Sequence, residues 1–141
     1  MSTYTHSHSD RRGIGRFCES AVADYLIAQG YTIVDRGFTV KGGEIDLIAE
    51  DDTALLFVEV KGRTEGDQIR RFGRPATAVN AAKQEHLLYA AREYIRRTGN
   101  RKKPRLDVAE VYMSPTDVIT ETGPEQWMAL TIRYYPAAFR G

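Results

Sequence analysis

The chain has 141 residues, 42% of them hydrophobic, which suits one domain with a buried core. Twenty Lys and Arg against nineteen Asp and Glu leave a net charge of +1, so overall charge gives no sign of a nucleic-acid binder and any case must rest on where charges lie. Cys18 is the only cysteine, which excludes an internal disulfide, and no signal-peptide or membrane-spanning pattern is visible; a reducing cytoplasm is the expected location.

In chain order, Met1 to Asp10 is rich in Ser, Thr and His with almost no apolar anchor, and is expected to be a disordered tail. His6 and His8 could chelate a metal, but ordinary terminal disorder accounts for them better. From Gly13 to Gly30, Phe17, Ala21, Val22, Tyr25 and Leu26 recur at helical spacing, with Gly30 as a C-terminal stop. Glu19 lies one residue off that apolar stripe and by itself reads as a solvated helix glutamate. Tyr31 to Val40 reads as the first strand, and Lys41-Gly42-Gly43 turns the chain.

The next stretch, GGEIDLIAEDDTALLFVEVKGR from Gly42 to Arg63, organises the sequence. Ile45, Leu47 and Ala49 alternate with Glu44, Asp46 and Ile48; then Leu56, Val58 and Val60 alternate with Phe57, Glu59 and Lys61. Period-two alternation predicts two strands, joined near Asp51-Asp52. Register decides which charges meet, because a slip of one residue moves every side chain to the other face. A two-residue loop pairs Glu50 with Thr53 and puts Asp46, Glu59 and Lys61 on one face. A three-residue loop separates Asp46 from the other two. A four-residue loop reunites them with Asp46 opposite Glu59. Adjacent carboxylates repel unless a cation lies between them. The apolar face could then be buried while the charged face holds a divalent metal through oxygen ligands.

Gly62 to Pro75 is a long polar stretch carrying Arg63, Arg70, Arg71 and Arg74, cations that suit a phosphate backbone beside such a site, or a solvated loop. Thr77 to Thr98 predicts a second helix with Val79, Ala82, Leu87, Leu88, Ala91, Tyr94 and Ile95 as its apolar stripe. Its basic end, Arg92, Arg96, Arg97, Arg101, Lys102, Lys103 and Arg105, suits a helix C-terminus anyway. Strands are expected from Leu106 to Met113 and from Trp127 to Tyr135. The order is α-β-β-β-α-β-β, an α/β fold with a mixed sheet flanked by helices and no second domain.

Absences narrow the chemistry. His6 and His8 lie in the tail and His86 within a helix, which argues against Ser-His-Asp or Cys-His catalysis. Cys18 has no evident activating base, and neither zinc spacing nor a phosphate-cradling Gly-rich loop is present. The remaining set, Asp46 and Glu59 with Lys61, suits metal-assisted phosphodiester hydrolysis. The carboxylates would hold Mg²⁺ or Mn²⁺, and Lys61 would orient or deprotonate water or stabilise the transition state.

Glu44-Ile45-Asp46 followed by Glu59-Val60-Lys61 resembles the PD-(D/E)XK nuclease superfamily, without the Pro before the Asp. From about Gly15 to Ala138-Phe139 the chain resembles the YraN family of bacterial proteins, similar to archaeal Holliday junction resolvases. The resemblance rests on Glu19 with Tyr25-Leu26, Gly30-Tyr31, GGEIDLIAED, FVEVKGR, Phe72-Gly73, Pro75, Ala78-Val79, Lys83 and Arg105-Leu106-Asp107-Val108. It implies a restriction-endonuclease-like domain over residues 11–141 and a metal-dependent endonuclease acting on DNA, branched DNA included, in recombination or repair. It also implies that Glu19 joins the metal ligands, that Lys83 reaches phosphate, and that the protein works as a homodimer. Gly37 and Thr39 stand where the family pattern has Asn and Arg, Cys18 where it has Gly, and Val22 where it has Ala. The missing Arg weakens one phosphate contact and leaves the metal ligands untouched. The alternative expectation is a catalytically quiet nucleic-acid-binding or protein-interaction module on the same fold.

Overall fold

A computed structural model describes residues 8–64, 81–115 and 127–139. The elements are α1 (His8–Ala28), β1 (Thr32–Val40), β2 (Gly43–Glu50), β3 (Ala54–Thr64), α2 (Ala81–Thr98), β4 (Lys103–Pro115) and β5 (Trp127–Tyr135). Their order is the expected α-β-β-β-α-β-β. The first helix starts five residues earlier than its apolar stripe predicts, and β4 is longer at both ends. The rest of the expected tail, Met1–Ser7, and the cap Thr77 lie outside the described residues.

The five strands form one mixed sheet in the order β1-β2-β3-β4-β5. Every neighbouring pair is antiparallel except β3 and β4, which run parallel. A parallel pair needs a long crossover, and the segment containing α2 supplies it. Each helix covers one face. Cys18, Val22, Ala23 and Leu26 of α1 pack on Leu47, Ala49, Leu56, Val58, Ala109 and Val111. Leu87, Ala90 and Ala91 of α2 pack on Ile45, Ile48, Leu55, Phe57 and Leu106. Burying each large apolar side chain contributes about 1.5–3 kcal/mol, so both helices are firmly seated.

This packing corrects two expectations for the hairpin. Both faces of the sheet are covered, so the charged residues lie at the end of a buried face rather than across an open one. Alternation in β2 also breaks at Asp46: Leu47 and Ala49 face α1 as expected, while Ile45 joins Ile48 against α2. With apolar cover on both sides, no polar face holds the strand in phase.

Two glycines set how closely the helices approach. A Cβ on Gly43 would lie 2.5 Å from the His86 carbonyl oxygen of α2. One on Gly62 would lie 2.9 Å from Met113 Cε and 3.0 Å from Cys18 Sγ. Gly43 of the GGEID block and Gly62 of the KGR block are therefore contact surfaces for α2 and α1.

Candidate metal centre

The β2–β3 hairpin adopts the four-residue-loop register, with Glu50 paired to Leu55 and Leu47 to Val58. Asp51 fixes the turn: its Oδ1 accepts the N–H groups of Thr53 (2.9 Å) and Ala54 (2.8 Å). The next pair in this register is Asp46 and Glu59, but the ladder stops before reaching it. Asp46 Oδ2 instead accepts the backbone N–H of Val60 at 2.8 Å, standing in for a strand partner. The hairpin forks at the two carboxylates.

Glu59 is 5% exposed, and Lys61 Nζ and Lys83 Nζ lie 3.7 Å and 3.5 Å from the same oxygen, Oε2. Lys61 is two residues along β3 and on the same face; Lys83 reaches in from the first turn of α2. Asp46 is half-buried, and its carboxyl is pushed up to about 7, first by burial and then by the charge of Glu59, with Glu19 adding to it. The Val60 N–H bond only partly opposes that rise. Glu19, half-buried on α1, is also raised, by burial first and then by Glu44, against the lowering effect of Arg36 and Arg16. A helix glutamate from one side and a helix lysine from the other thus converge on the fork.

Among the described residues, no three His, Cys, Asp or Glu side chains form a ready metal cage. The Asp46–Glu59 pair could hold a hard cation that keeps most of its waters. Mg²⁺ commonly does so, using one or two carboxylates plus phosphate oxygens. Glu44 and Arg36, close enough to shift Glu19, were not singled out by sequence reasoning. The β1–β2 register carries that signal: Thr39 pairs with Glu44, and Arg36 with Leu47 beside Asp46.

The remaining site candidates fall in different places. Arg63 turns into the protein, its Nε 3.7 Å from Oε2 of the fully buried Glu110. Among the described residues neither of those atoms has a hydrogen-bond partner, although Glu110 Oε1 accepts the Tyr112 hydroxyl at 3.0 Å. Arg70, Arg71 and Arg74 lie outside the described residues. In the basic run at the end of α2 and beyond it, Arg96 and Arg97 pair with Glu93, Lys102 with Glu50, and Arg105 with Asp107. Burial and Glu19 push the Cys18 thiol up to about 11, so it stays protonated and acts as core. No described helix is long and apolar enough to cross a membrane.

Comparison with known proteins gives the lineage of this arrangement. The model of the uncharacterised protein family UPF0102 matches residues 18–111, more than half of the chain and all of the forked hairpin. A UPF0102 protein of Symbiobacterium thermophilum is 46% identical over 105 residues, covering 74% of this chain and 86% of the relative. One from Caldanaerobacter subterraneus is 37% identical over 113 residues, 79% and 89% of the two chains. One from Hahella chejuensis is 42% identical over 96 residues, 67% and 74%. With a match of that extent and relatives covered over most of their length, the chain belongs to the uncharacterised protein family UPF0102, the YraN family that its motifs resemble.

Proposed function

We propose that this protein is a metal-dependent DNA endonuclease that hydrolyses phosphodiester bonds, with a preference for branched DNA in recombination or repair. The observation that carries the reading is the fork: Asp46 and Glu59 stand side by side where the β2–β3 ladder ends, with Lys61 next to them. Two neighbouring carboxylates, one buried, are costly without a cation between them. Burial first, and then the charge of Glu59, raise the Asp46 carboxyl. All-oxygen donors suit Mg²⁺ or Mn²⁺ rather than a soft metal.

The chain's residues would divide the work as follows. Asp46 and Glu59 would supply the cation's ligands, and Glu19, near enough to raise Asp46, would join them. A divalent cation bound there would offset charge on the phosphate and acidify a nearby water. Lys61 Nζ, an ammonium beside Glu59, would neutralise charge developing on the phosphoryl oxygens or orient the attacking water. Lys83, from the other side of Glu59, would reach the next phosphate along the strand. A homodimer would present two such sites to the two symmetric strands of a junction.

A second reading has its own observation. Glu59 already has two ammonium partners, as suits a catalytically quiet nucleic-acid-binding or partner-binding module. Cleavage assays in Mg²⁺ or Mn²⁺ on four-way, flap, single-stranded and duplex DNA separate the two, with Asp46→Ala and Lys61→Ala beside wild type. Cleavage that both variants lose while remaining folded is the expected result. Binding without cleavage on every substrate and metal would leave the quiet module.

A further inference from the structure

The two lysines at Glu59 come from different elements, yet both aim at one oxygen, Oε2. Their distances, 3.7 Å and 3.5 Å, are those of ion pairs rather than of charge-assisted hydrogen bonds, which close to about 2.7–2.9 Å. Glu59 itself is buried, with a side chain only 6% exposed, whereas the Lys83 side chain is 43% exposed. A buried carboxylate left without a counter-charge is strongly unfavourable. Lys61 stays beside Glu59 throughout, so an exchange of Lys83 for a divalent cation never leaves Glu59 uncompensated.

We propose that Lys83 is a built-in competitor for the cation. It serves as counter-ion to Glu59 while no metal is bound, and it is released toward substrate phosphate when a metal takes its place. This inference rests on the metal site proposed above and adds its regulation: loading the cation displaces the Lys83 charge from Glu59. Because Lys83 stands on α2 and Glu59 on β3, the exchange also loosens one tie between helix and sheet.

The test is a Mn²⁺ titration of the full chain without nucleic acid, by calorimetry or by the electron-spin resonance signal of free Mn²⁺. Wild type is compared with Lys83→Gln, Lys83→Arg and Glu59→Gln. Lys83→Gln is expected to bind Mn²⁺ about twofold to fivefold more tightly, the range that a partly exposed ion pair supplies. Lys83→Arg, which keeps the competing charge, is expected to stay near wild type, and Glu59→Gln to lose binding. Unchanged or weaker binding by Lys83→Gln, with Glu59→Gln still defective, overturns the competitor role and leaves the metal site standing. Absence of binding in wild type, or binding indifferent to Glu59→Gln, overturns both.

Discussion

Two carboxylate centres in this protein are buried in opposite ways. Asp107 on β4 is fully buried and saturated: it accepts two hydrogen bonds of 2.9 Å from Arg105, the Tyr134 hydroxyl, and the Ala137 N–H at 2.9 Å. Those bonds anchor the turn after β5, where Ala137 adopts a φ of 53°, and burial beside Asp107 pushes the Tyr134 hydroxyl well above its ordinary range. The fork holds Asp46 by a single backbone N–H and sets it against Glu59, whose ammonium partners stay at ion-pair distance. A carboxylate with every lone pair satisfied is scaffold. A pair left under-satisfied beside its own charge is a candidate for the cation proposed above.

The largest effect expected from this contrast is at the scaffold. Asp107→Ala leaves a half-exposed guanidinium, a hydroxyl and a backbone N–H without their partner at once, and should cost about 3–5 kcal/mol of unfolding free energy. Urea denaturation measures it. A loss under about 1 kcal/mol would place Asp107 in the same class as the fork.

At the fork the sign reverses. The Asp46 carboxyl stands near 7 in the folded chain against an ordinary 3.8, so the folded state keeps its proton where the unfolded state has lost it. The stability linked to that proton is complete below about pH 4 and is lost as pH rises to about 7. Asparagine mimics the protonated group and can still accept the Val60 N–H. Asp46→Asn should therefore match wild type near pH 4 and exceed it by on the order of 2–4 kcal/mol at pH 8. Mn²⁺ at pH 8 should raise the stability of wild type and leave the variant unmoved. Unfolding curves at three pH values check this, and a variant weaker than wild type at pH 8 would erase the distinction between the two centres.

How much of this was legible in the sequence differs between the same two regions. Alternation in β2 and β3 and the 3.6-residue spacing in the helices were enough for the element order. Asp46, Glu59 and Lys61 stood out because charges interrupt otherwise apolar strands. Register was not legible: three loop lengths were open, and the choice rests on Asp51 capping its own turn through Thr53 and Ala54. Nor was Arg63 turning inward, because Glu110, its buried partner, lies 47 positions further on and meets it only through the parallel pairing of β3 and β4. Asp107 could be quoted as part of a motif, but its role depends on Tyr134 and Ala137, which no local pattern connects to it. Local chemistry reads from sequence; partners brought together by a crossover do not.

The smallest effect, and the sharpest, is at Gly43. Its backbone is outside the left-handed region, so alanine there meets a packing obstacle and no conformational one. The obstacle is the His86 carbonyl oxygen at 2.5 Å, with Ala90 Cβ at 3.1 Å, and neither belongs to a flexible side chain. Gly43→Ala must therefore move α2, at about 1–3 kcal/mol. Lys83 lies three residues before His86 on that helix, so the same shift draws its ammonium from Glu59. Mn²⁺ affinity should then rise as it does in Lys83→Gln, although the lysine is intact. Gly62→Ala is the control: its obstacles, Met113 Cε and Cys18 Sγ, are side-chain ends on the α1 side that can give way. It should cost less and leave Mn²⁺ affinity unchanged. If both glycine variants behave alike, the seating of α2 does not govern the charge at Glu59, and the fork is set by β2 and β3 alone.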